Sequence, residues 1–273
     1  MSVEQQNNRY TNIALNSDFA EGHIKGYGHI SSIVDDVTNI FASHLSEIVK
    51  TDNKKSDSNF TYDLSVKDSP IMHHFINQEY KIIHEAHIIG SIDVKKDIFN
   101  LNVDAPLFEY DGYKYRNVSL TCCNNKDQLS LVMNGLRHND ESAMRVNVNA
   151  TCADNVIESN IKTKIKNKND IDIDLNVLVN FKDSLGKTKT DIDINDISLL
   201  INDTLWNISH SNISIFEKSI SCHNLRLYSG NKFLSIEGTA SPNPNDSLVA
   251  KLNNIEIEYI LNIVNFTAVS FSG

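Results

Sequence analysis

The chain has 273 residues, a formal net charge of −10 and a pI near 5.4. This acidic balance argues against a protein that coats nucleic acid, because such a protein needs a basic surface. Hydrophobic residues make up 40% and charged residues 22%, which is ordinary for a folded protein and unlike a disordered chain. The length suits one large β domain or two smaller ones.

The sequence contains no apolar run of the roughly 18 residues needed to span a bilayer. Residues 2–9 are polar, whereas an export signal has a basic start followed by an apolar core. The sequence by itself therefore predicts neither a membrane helix nor an export signal.

Apolar residues first recur at helical spacing over residues 32–49, which predicts an amphipathic helix. Ser32 is placed to cap its N-terminus, and Asp35 favours the helix dipole three residues later. The polar run at 51–59 follows and predicts a joint between residues 1–50, a strand pair plus the helix, and 60–273. A second, short helix is expected around 69–75.

From residue 60 onward the dominant period is two, which predicts half-buried strands of an all-β, antiparallel architecture. Strands of this kind recur about every 10 to 15 residues. The clearest one, residues 171–181, has apolar residues on one parity and polar residues on the other, with Leu178 as the exception. The candidate apolar face comprises Leu129, Leu131, Met133, Met144, Val146, Val148, Ile171, Ile173, Leu175, Val177 and Val179.

The hairpin at 167–170 allows its register to be predicted. Keeping Ile165 on the face of Ile171 or Ile173 requires an odd number of loop residues. That register sets a lysine stripe across from an aspartate stripe, which predicts a ladder of cross-strand charge pairs. An anionic lipid headgroup site is the alternative for the lysines. The stripes are Lys162, Lys164 and Lys166, and Asp170, Asp172 and Asp174.

The cysteines, Cys122, Cys123, Cys152 and Cys222, form neither a dense disulfide framework nor the CxxC pairs of a zinc site. Cys122 and Cys152 share strand faces with apolar residues, so we expect them to be small buried hydrophobes. Cys123 is expected to face the other way.

The sequence offers little that points to catalysis or to a cofactor. His84 and His87 lack the HExxH spacing, and His73 with His74 forms no fuller ligand set, so all four are interpreted as ordinary histidines. Nucleophile-elbow, P-loop and dinucleotide motifs are absent. We therefore expect no enzymatic activity, no metal and no cofactor.

Three segments carry a resemblance to a known family. They are the run from Ile201-Asn202-Asp203-Thr204-Leu205-Trp206 through residues 252–260 to Val269-Ser270-Phe271-Ser272-Gly273, the strand Gly22-His23-Ile24-Lys25-Gly26-Tyr27 within 15–45, and the strand rhythm of 60–180. The chain resembles the TamB translocation and assembly module proteins of the Bacteroides type, within the AsmA-like group. Complete members are longer, so the chain is expected to be an internal fragment.

The resemblance implies an elongated, curled antiparallel sheet, a β-taco, with an open apolar groove and one short helix. It further implies phospholipid acyl chains as the cargo between the inner and outer membranes. An outer-membrane barrel-assembly component is the implied partner, with a role in protein translocation and assembly. The expected location is the periplasm, anchored to the inner membrane by a segment absent from this chain.

A closed β-sandwich adhesin or cell-surface binding module is the alternative, because alternating strands are common to every β-sandwich. An open groove predicts a continuous apolar channel with bound lipid. A sandwich predicts a sealed core and binding through loops.

Overall fold

The computed structural model describes residues 2–6 (backbone), 10–51, 56–71, 79–125, 127–167, 170–195 and 197–255. Within these residues the protein is all-β, with nineteen strands in a single sheet and one α-helix. The predicted fold class, a long curled antiparallel sheet with a short helix near the N-terminus, is confirmed.

The N-terminal strands are β1 Ser2–Gln6, β2 Tyr10–Asn16, β3 Ala20–Tyr27, β4 Asn59–Val66, β5 Lys81–His84, β6 Ala86–Asp93, β7 Ile98–Tyr110, β8 Tyr113–Asn125 and β9 Gln128–His138. The remaining strands are β10 Ala143–Ala153, β11 Val156–Lys166, β12 Asp170–Ser184, β13 Lys187–Ile194, β14 Ile197–Ile201, β15 Thr204–Ile208, β16 Ser211–Phe216, β17 Ser219–Ser229, β18 Lys232–Ala240 and β19 Leu248–Asn253. The helix, α1, spans Ile33–His44.

The sheet is largely a meander, and its strand pairs are antiparallel throughout the described residues. Some neighbouring strands act as two halves of one longer strand: β5 and β6 both pair with β7, and β13 and β14 both pair with β12. β15 and β16 likewise face β14 and β13 in turn. This order needs only short hairpin connections along most of the sheet.

The strand pairing is interrupted at neighbouring positions on several of these later strands. The register of the pairing with β12 differs by one residue between β13, which ends at Ile194, and β14, which begins at Ile197. β17 bulges between Cys222 and Leu225, where Asn224 adopts φ 55°. The side chains of Ser209 and Ser211 donate to the Asn224 carbonyl at 2.9 and 3.0 Å. These hydrogen bonds satisfy backbone groups that the interrupted ladder leaves unpaired.

The predicted register of the hairpin between β11 and β12 is confirmed. Ile165 lies opposite Ile171, and the three lysines face the three aspartates as expected. Lys162 Nζ lies 2.9 Å from Asp174 Oδ2, and Lys164 Nζ lies 2.6 Å from Asp172 Oδ2. Both pairs are exposed, so each contributes at most about 1 kcal/mol to stability.

Helix α1 is shorter than the predicted 32–49. The residue at its C-terminal end makes hydrogen bonds with the sheet, and the helix does not continue beyond it. The His44 carbonyl accepts a hydrogen bond from the backbone N–H of Asn155 at 2.8 Å. His44 Nε2 lies 2.6 Å from Asn124 Oδ1 in the buried interior. Ile48 and Val49, counted as helical from their spacing, lie in and just after a turn that closes on Leu45.

The prediction that the Ser32 side chain caps the helix is wrong. Ser32 occupies the N-cap position but makes no capping hydrogen bond to the helix backbone. Its hydroxyl instead lies 2.8 Å from the His29 carbonyl and 2.9 Å from Asp36 Oδ2. Asp36 is buried and also accepts from Ser56 Oγ, so this carboxylate ties the start of the helix to the segment that leads into β4.

Helix α1 closes one end of the curled sheet. Phe41 packs edge-on against Phe99 of β7 at 6.0 Å, and Glu47, just past the helix, accepts from Thr188 of β13 through its carbonyl. Six inter-strand steps separate β7 from β13, about 29 Å in a flat sheet. The helix itself is only about 18 Å long. The sheet must therefore bend around the helix for both strands to reach it.

The core at this end consists of α1 and the strand ends around it: Ile40, Leu45, Phe60, Ile92, Phe99, Cys122, Leu129 and Cys152. A second core lies at the opposite strand ends of the later sheet and comprises Ile171, Leu199, Ile201 and Trp206. Ile255 packs against it.

The segments on the two sides of the predicted joint at 51–59 belong to the same sheet, because β3 pairs with β4 from Ala20–Val66 to Tyr27–Asn59. The helix predicted around 69–75 falls largely on 72–78, which lies outside the described residues.

Candidate functional site: the apolar face of the sheet

The register brings every residue of the predicted apolar face to one side of the sheet. Across β9 and β10, Leu131 lies opposite Ala150 and Met133 opposite Val148. β11 stands between β10 and β12, and its alternate residues connect the two, so that Val148, Ile161 and Leu175 form one row across the strands. The face is therefore continuous from β9 to β12.

Burial divides this face into three zones. Leu129 is 6% exposed and belongs to the core around α1, while Ile171 is 5% exposed and belongs to the second core. Between these cores, Val146, Val148 and Val177 are only half-buried. The candidate site is this middle zone, where apolar side chains retain accessible surface.

Apart from Ile165, sequence reasoning missed β11 as part of the apolar face. Ile157, Ile161 and Ile165 occupy it, but Ser159 and Thr163 alternate with them and interrupt the apolar pattern. Ser159 Oγ donates to the Val177 carbonyl at 3.3 Å, and Thr163 Oγ1 donates to the Arg145 carbonyl at 3.0 Å. Each hydroxyl is thus satisfied by a neighbouring strand, so the face remains compatible with apolar contact.

Aromatic side chains frame the end of this face remote from α1. Phe108 and Tyr115 stack at 4.8 Å, and Tyr80 stacks on Phe108 at 5.3 Å. The Arg137 guanidinium lies over the Tyr113 ring, 4.4 Å from its centroid. A bulge in β8 between Arg116 and Ser119 rotates the end of that strand and brings its tyrosines to the apolar side.

The opposite face of the same strands is polar and carries its own depression. A cavity of about 690 Å³ is bordered by outward-facing residues of β9 to β12, including Asn149, Glu158, Asn160, Asn176 and Leu178. A strongly twisted sheet is saddle-shaped, so each of its faces is concave along one direction. A smaller cavity of about 200 Å³ lies beside Lys164 and Asp172 of the charge ladder.

The cysteines behave as expected from their strand faces. Cys122 and Cys152 are 3% and 6% exposed and belong to the core around α1, whereas Cys123 lies 3.1 Å from Ser130 Oγ on the other side. Burial raises the pKa of the Cys152 thiol to about 11 and also raises that of Cys122. The thiolate form of each is therefore scarce near neutral pH.

A half-buried titratable group, Tyr62, lies near Cys122. Tyr62 fits over Gly90, and its hydroxyl donates to the Asn100 carbonyl at 2.7 Å. Burial, followed by the neighbouring Cys122, raises the pKa of Tyr62 to about 12. A Cβ added at Gly90 would lie 2.3 Å from the Tyr62 hydroxyl oxygen, so the glycine is required for this packing.

The histidines are separated by the fold. His84 lies at the end of β5, just after a bulge, and His87 lies on β6, with its Nδ1 3.0 Å from Ser65 Oγ. His73 and His74 lie outside the described residues. In the described part of the chain, His, Cys, Asp and Glu side chains form no group of metal-ligating geometry.

The described fold and face define the class of protein: a single-sheet, all-β protein with a half-exposed apolar face closed at one end by a helix. Comparisons of the chain with protein-family models, curated proteins and solved structures gave no significant match. No helix among the described residues has the length and apolar character to cross a membrane.

Proposed function

We propose that the apolar face shelters the acyl chains of phospholipids, and that the chain is a segment of a TamB-like, AsmA-like lipid carrier. The observation that carries the proposal is the middle zone, where Leu131, Val146, Val148 and Val177 form a continuous apolar surface that stays partly accessible. An acyl chain on this surface gains about 0.8 kcal/mol per methylene removed from water.

The chemistry of the face favours a sliding, nonspecific ligand over a reacting one. Dispersion and burial are non-directional, so an acyl chain can shift along the strands at little cost. The resemblance in the sequence extends the proposal to a periplasmic, inner-membrane-anchored parent protein that meets an outer-membrane barrel-assembly component. A sealed adhesin-like sandwich remains the competing function, and it predicts no lipid on this face.

The proposal is tested by site-specific photocrosslinking on β12. A benzophenone amino acid at Val177 should capture phospholipid, whereas the same probe at Leu178 should capture several-fold less. The two positions are adjacent, apolar and half-buried, but they point to opposite faces of one strand. Crosslinked lipid is identified by mass spectrometry after purification from cells.

The two positions also separate the competing outcomes. Capture at Leu178 but not at Val177 would move the lipid to the polar face, because both residues line the cavity there but only the Leu178 side chain points to that face. Absence of lipid at both positions in folded protein would contradict the carrier function and favour the sealed sandwich.

A further inference from the structure

Arg137 is a cation on a face that is otherwise uncharged on β9, β10 and β11. Strand β9 continues unbroken from Leu129 to Arg137, so both side chains lie on the same face. Arg137 stands opposite Met144 on β10 and Tyr115 on β8. The residue is half-buried, which deprives its charge of part of its hydration.

No described carboxylate neutralises this charge. Arg137 forms neither an ion pair nor a hydrogen bond with the described residues, and its buried Nε has no partner among them. On the opposite face, by contrast, three lysines, Lys162, Lys164 and Lys182, each pair with an aspartate. A guanidinium has five donors in a planar fork that fits phosphate oxygens in a bidentate manner.

The surroundings of Arg137 form a transition from apolar to polar surface. Its guanidinium rests on Tyr113, beside the stacked Phe108 and Tyr115. Tyrosine combines an apolar ring with a polar tip and suits a boundary where one end of a ligand is apolar and the other is hydrated. The arginine and the tyrosines therefore mark the level at which a headgroup would leave the groove.

The closed end at α1 fixes the direction of such a ligand. Arg137 and Leu129 are eight residues apart on β9, or about 26 Å at 3.3 Å per residue. One acyl layer of a bilayer is about 15 Å thick, half of the hydrocarbon core. The middle zone can thus hold acyl chains that point towards α1 while the headgroup remains near Arg137.

We propose that Arg137 binds the phosphate of a lipid headgroup and so sets the orientation and headgroup preference of the cargo. This inference rests on the proposed acyl-chain function of the same face. In the proposed contact, oxygens of the phosphate accept hydrogen bonds from the guanidinium. The phosphate belongs to a phospholipid and is not a free anion.

Binding of two matched lipids tests the inference. Dioleoylphosphatidylglycerol and dioleoylglycerol carry the same chains, and wild-type protein should bind the first about tenfold more tightly, because a charge-assisted hydrogen bond is lost with the second. Arg137→Gln should abolish this preference while leaving dioleoylglycerol binding unchanged. Arg137→Lys should retain part of it, since the charge remains without the bidentate fork.

Arg145→Gln provides the matched control, because it removes the same charge from the opposite face of the neighbouring strand. The Arg137 assignment is overturned if the headgroup preference survives Arg137→Gln or is lost equally in Arg145→Gln. Binding of dioleoylglycerol in those cases leaves the groove function intact, whereas absence of both lipids from wild-type protein overturns the two proposals together. Displacement of the phospholipid by low millimolar inorganic phosphate would assign the site to a free anion instead.

Discussion

Asp191 on the polar face shows how a single carboxylate joins neighbouring strands. Its Oδ1 accepts from Ser214 Oγ of β16 at 2.6 Å and lies 2.9 Å from Lys189 Nζ of β13. Lys182 of β12 approaches Oδ2 at 3.4 Å. The hydrogen bond from Ser214, followed by those of the lysines, lowers the pKa of Asp191 despite partial desolvation.

Replacing this carboxylate should make stability less dependent on acid. Asp191→Asn is expected to lower the free energy of unfolding at pH 7 by about 1 kcal/mol, because the charge-assisted hydrogen bonds are lost. A carboxyl whose pKa is lowered on folding contributes fully above its unfolded value, which is near 4, and loses that contribution as the pH falls through the folded value. The wild-type advantage should therefore shrink below about pH 4.

Urea unfolding at pH 7 and at pH 3.5 measures this effect. Asp140→Asn is the control, because Asp140 is exposed in a turn and makes no hydrogen bond or ion pair with the described residues. If wild-type protein exceeds Asp191→Asn in free energy of unfolding by the same amount at both pH values, packing and not ionisation explains the lower stability of the variant.

For individual residues, sequence patterns predicted the face to which most side chains point but not the groups that they contact. Alternation identified Val177 and its neighbours, and it gave the pairing of Lys164 with Asp172. Arg137 was missed because an isolated arginine at a strand end is ordinarily exposed, and only the unbroken register of β9 places it on the apolar face. Its stacking on Tyr113 depends on a bulge that no residue pattern announces.

Helix α1 acts as a structural wedge, and its two sides should differ sharply in their tolerance of substitution. Ile40 is 4% exposed in the core against the strand ends, whereas Val34 is 73% exposed on the same helix. Ile40→Ala should cost about 2 to 4 kcal/mol by leaving a cavity. Val34→Ala should change stability by less than about 0.5 kcal/mol.

Chemical denaturation of the two variants provides the measurement, and each replaces a β-branched residue by alanine in the same helix. Similar small losses for both would mean that α1 does not pack against the sheet in solution. The position of the wedge would then need to be revised, along with the closed end of the apolar face.

The end of α1 illustrates why element boundaries escaped the sequence. Apolar spacing continues through Ile48 and Val49, so periodicity alone extends the helix. Hydrogen bonds from distant residues, Asn155 and Asn124, occupy the carbonyl and ring of His44 instead. Such long-range contacts depend on the folded sheet and have no local signature.

For the molecule as a whole, protection from hydrogen exchange should fall from the α1 end towards the last described strand. Strands β7 to β10 contribute buried residues to the core around the helix, whereas every side chain of β19 is exposed. Local opening requires less free energy where few apolar contacts are broken. Amides of β19 should exchange at least about tenfold faster than those of β8 and β9.

Mass spectrometry of peptides after timed deuterium labelling compares these strands within one sample. Uniform protection along the chain would indicate a single cooperative unit and would contradict the gradient.

The overall architecture was accessible from the sequence because period-two alternation recurs along most of the chain, and most strands pair with a chain neighbour. Curvature was not accessible in the same way, because it depends on the packing of α1 against the strand ends. The change of register between β13 and β14 and the bulge at Asn224 also depend on several strands at once.

The meander has a consequence for how such a protein can change in size over evolution. Since most strands bond to their chain neighbours, duplication of a hairpin, for instance at the Asp111-Gly112 turn between β7 and β8, would leave the registers of the pairs before it unchanged. Each added hairpin would widen the sheet by about 9.6 Å, two strand spacings. Descendants of one ancestral gene could then differ in the number of hairpins while keeping the same helix-closed end.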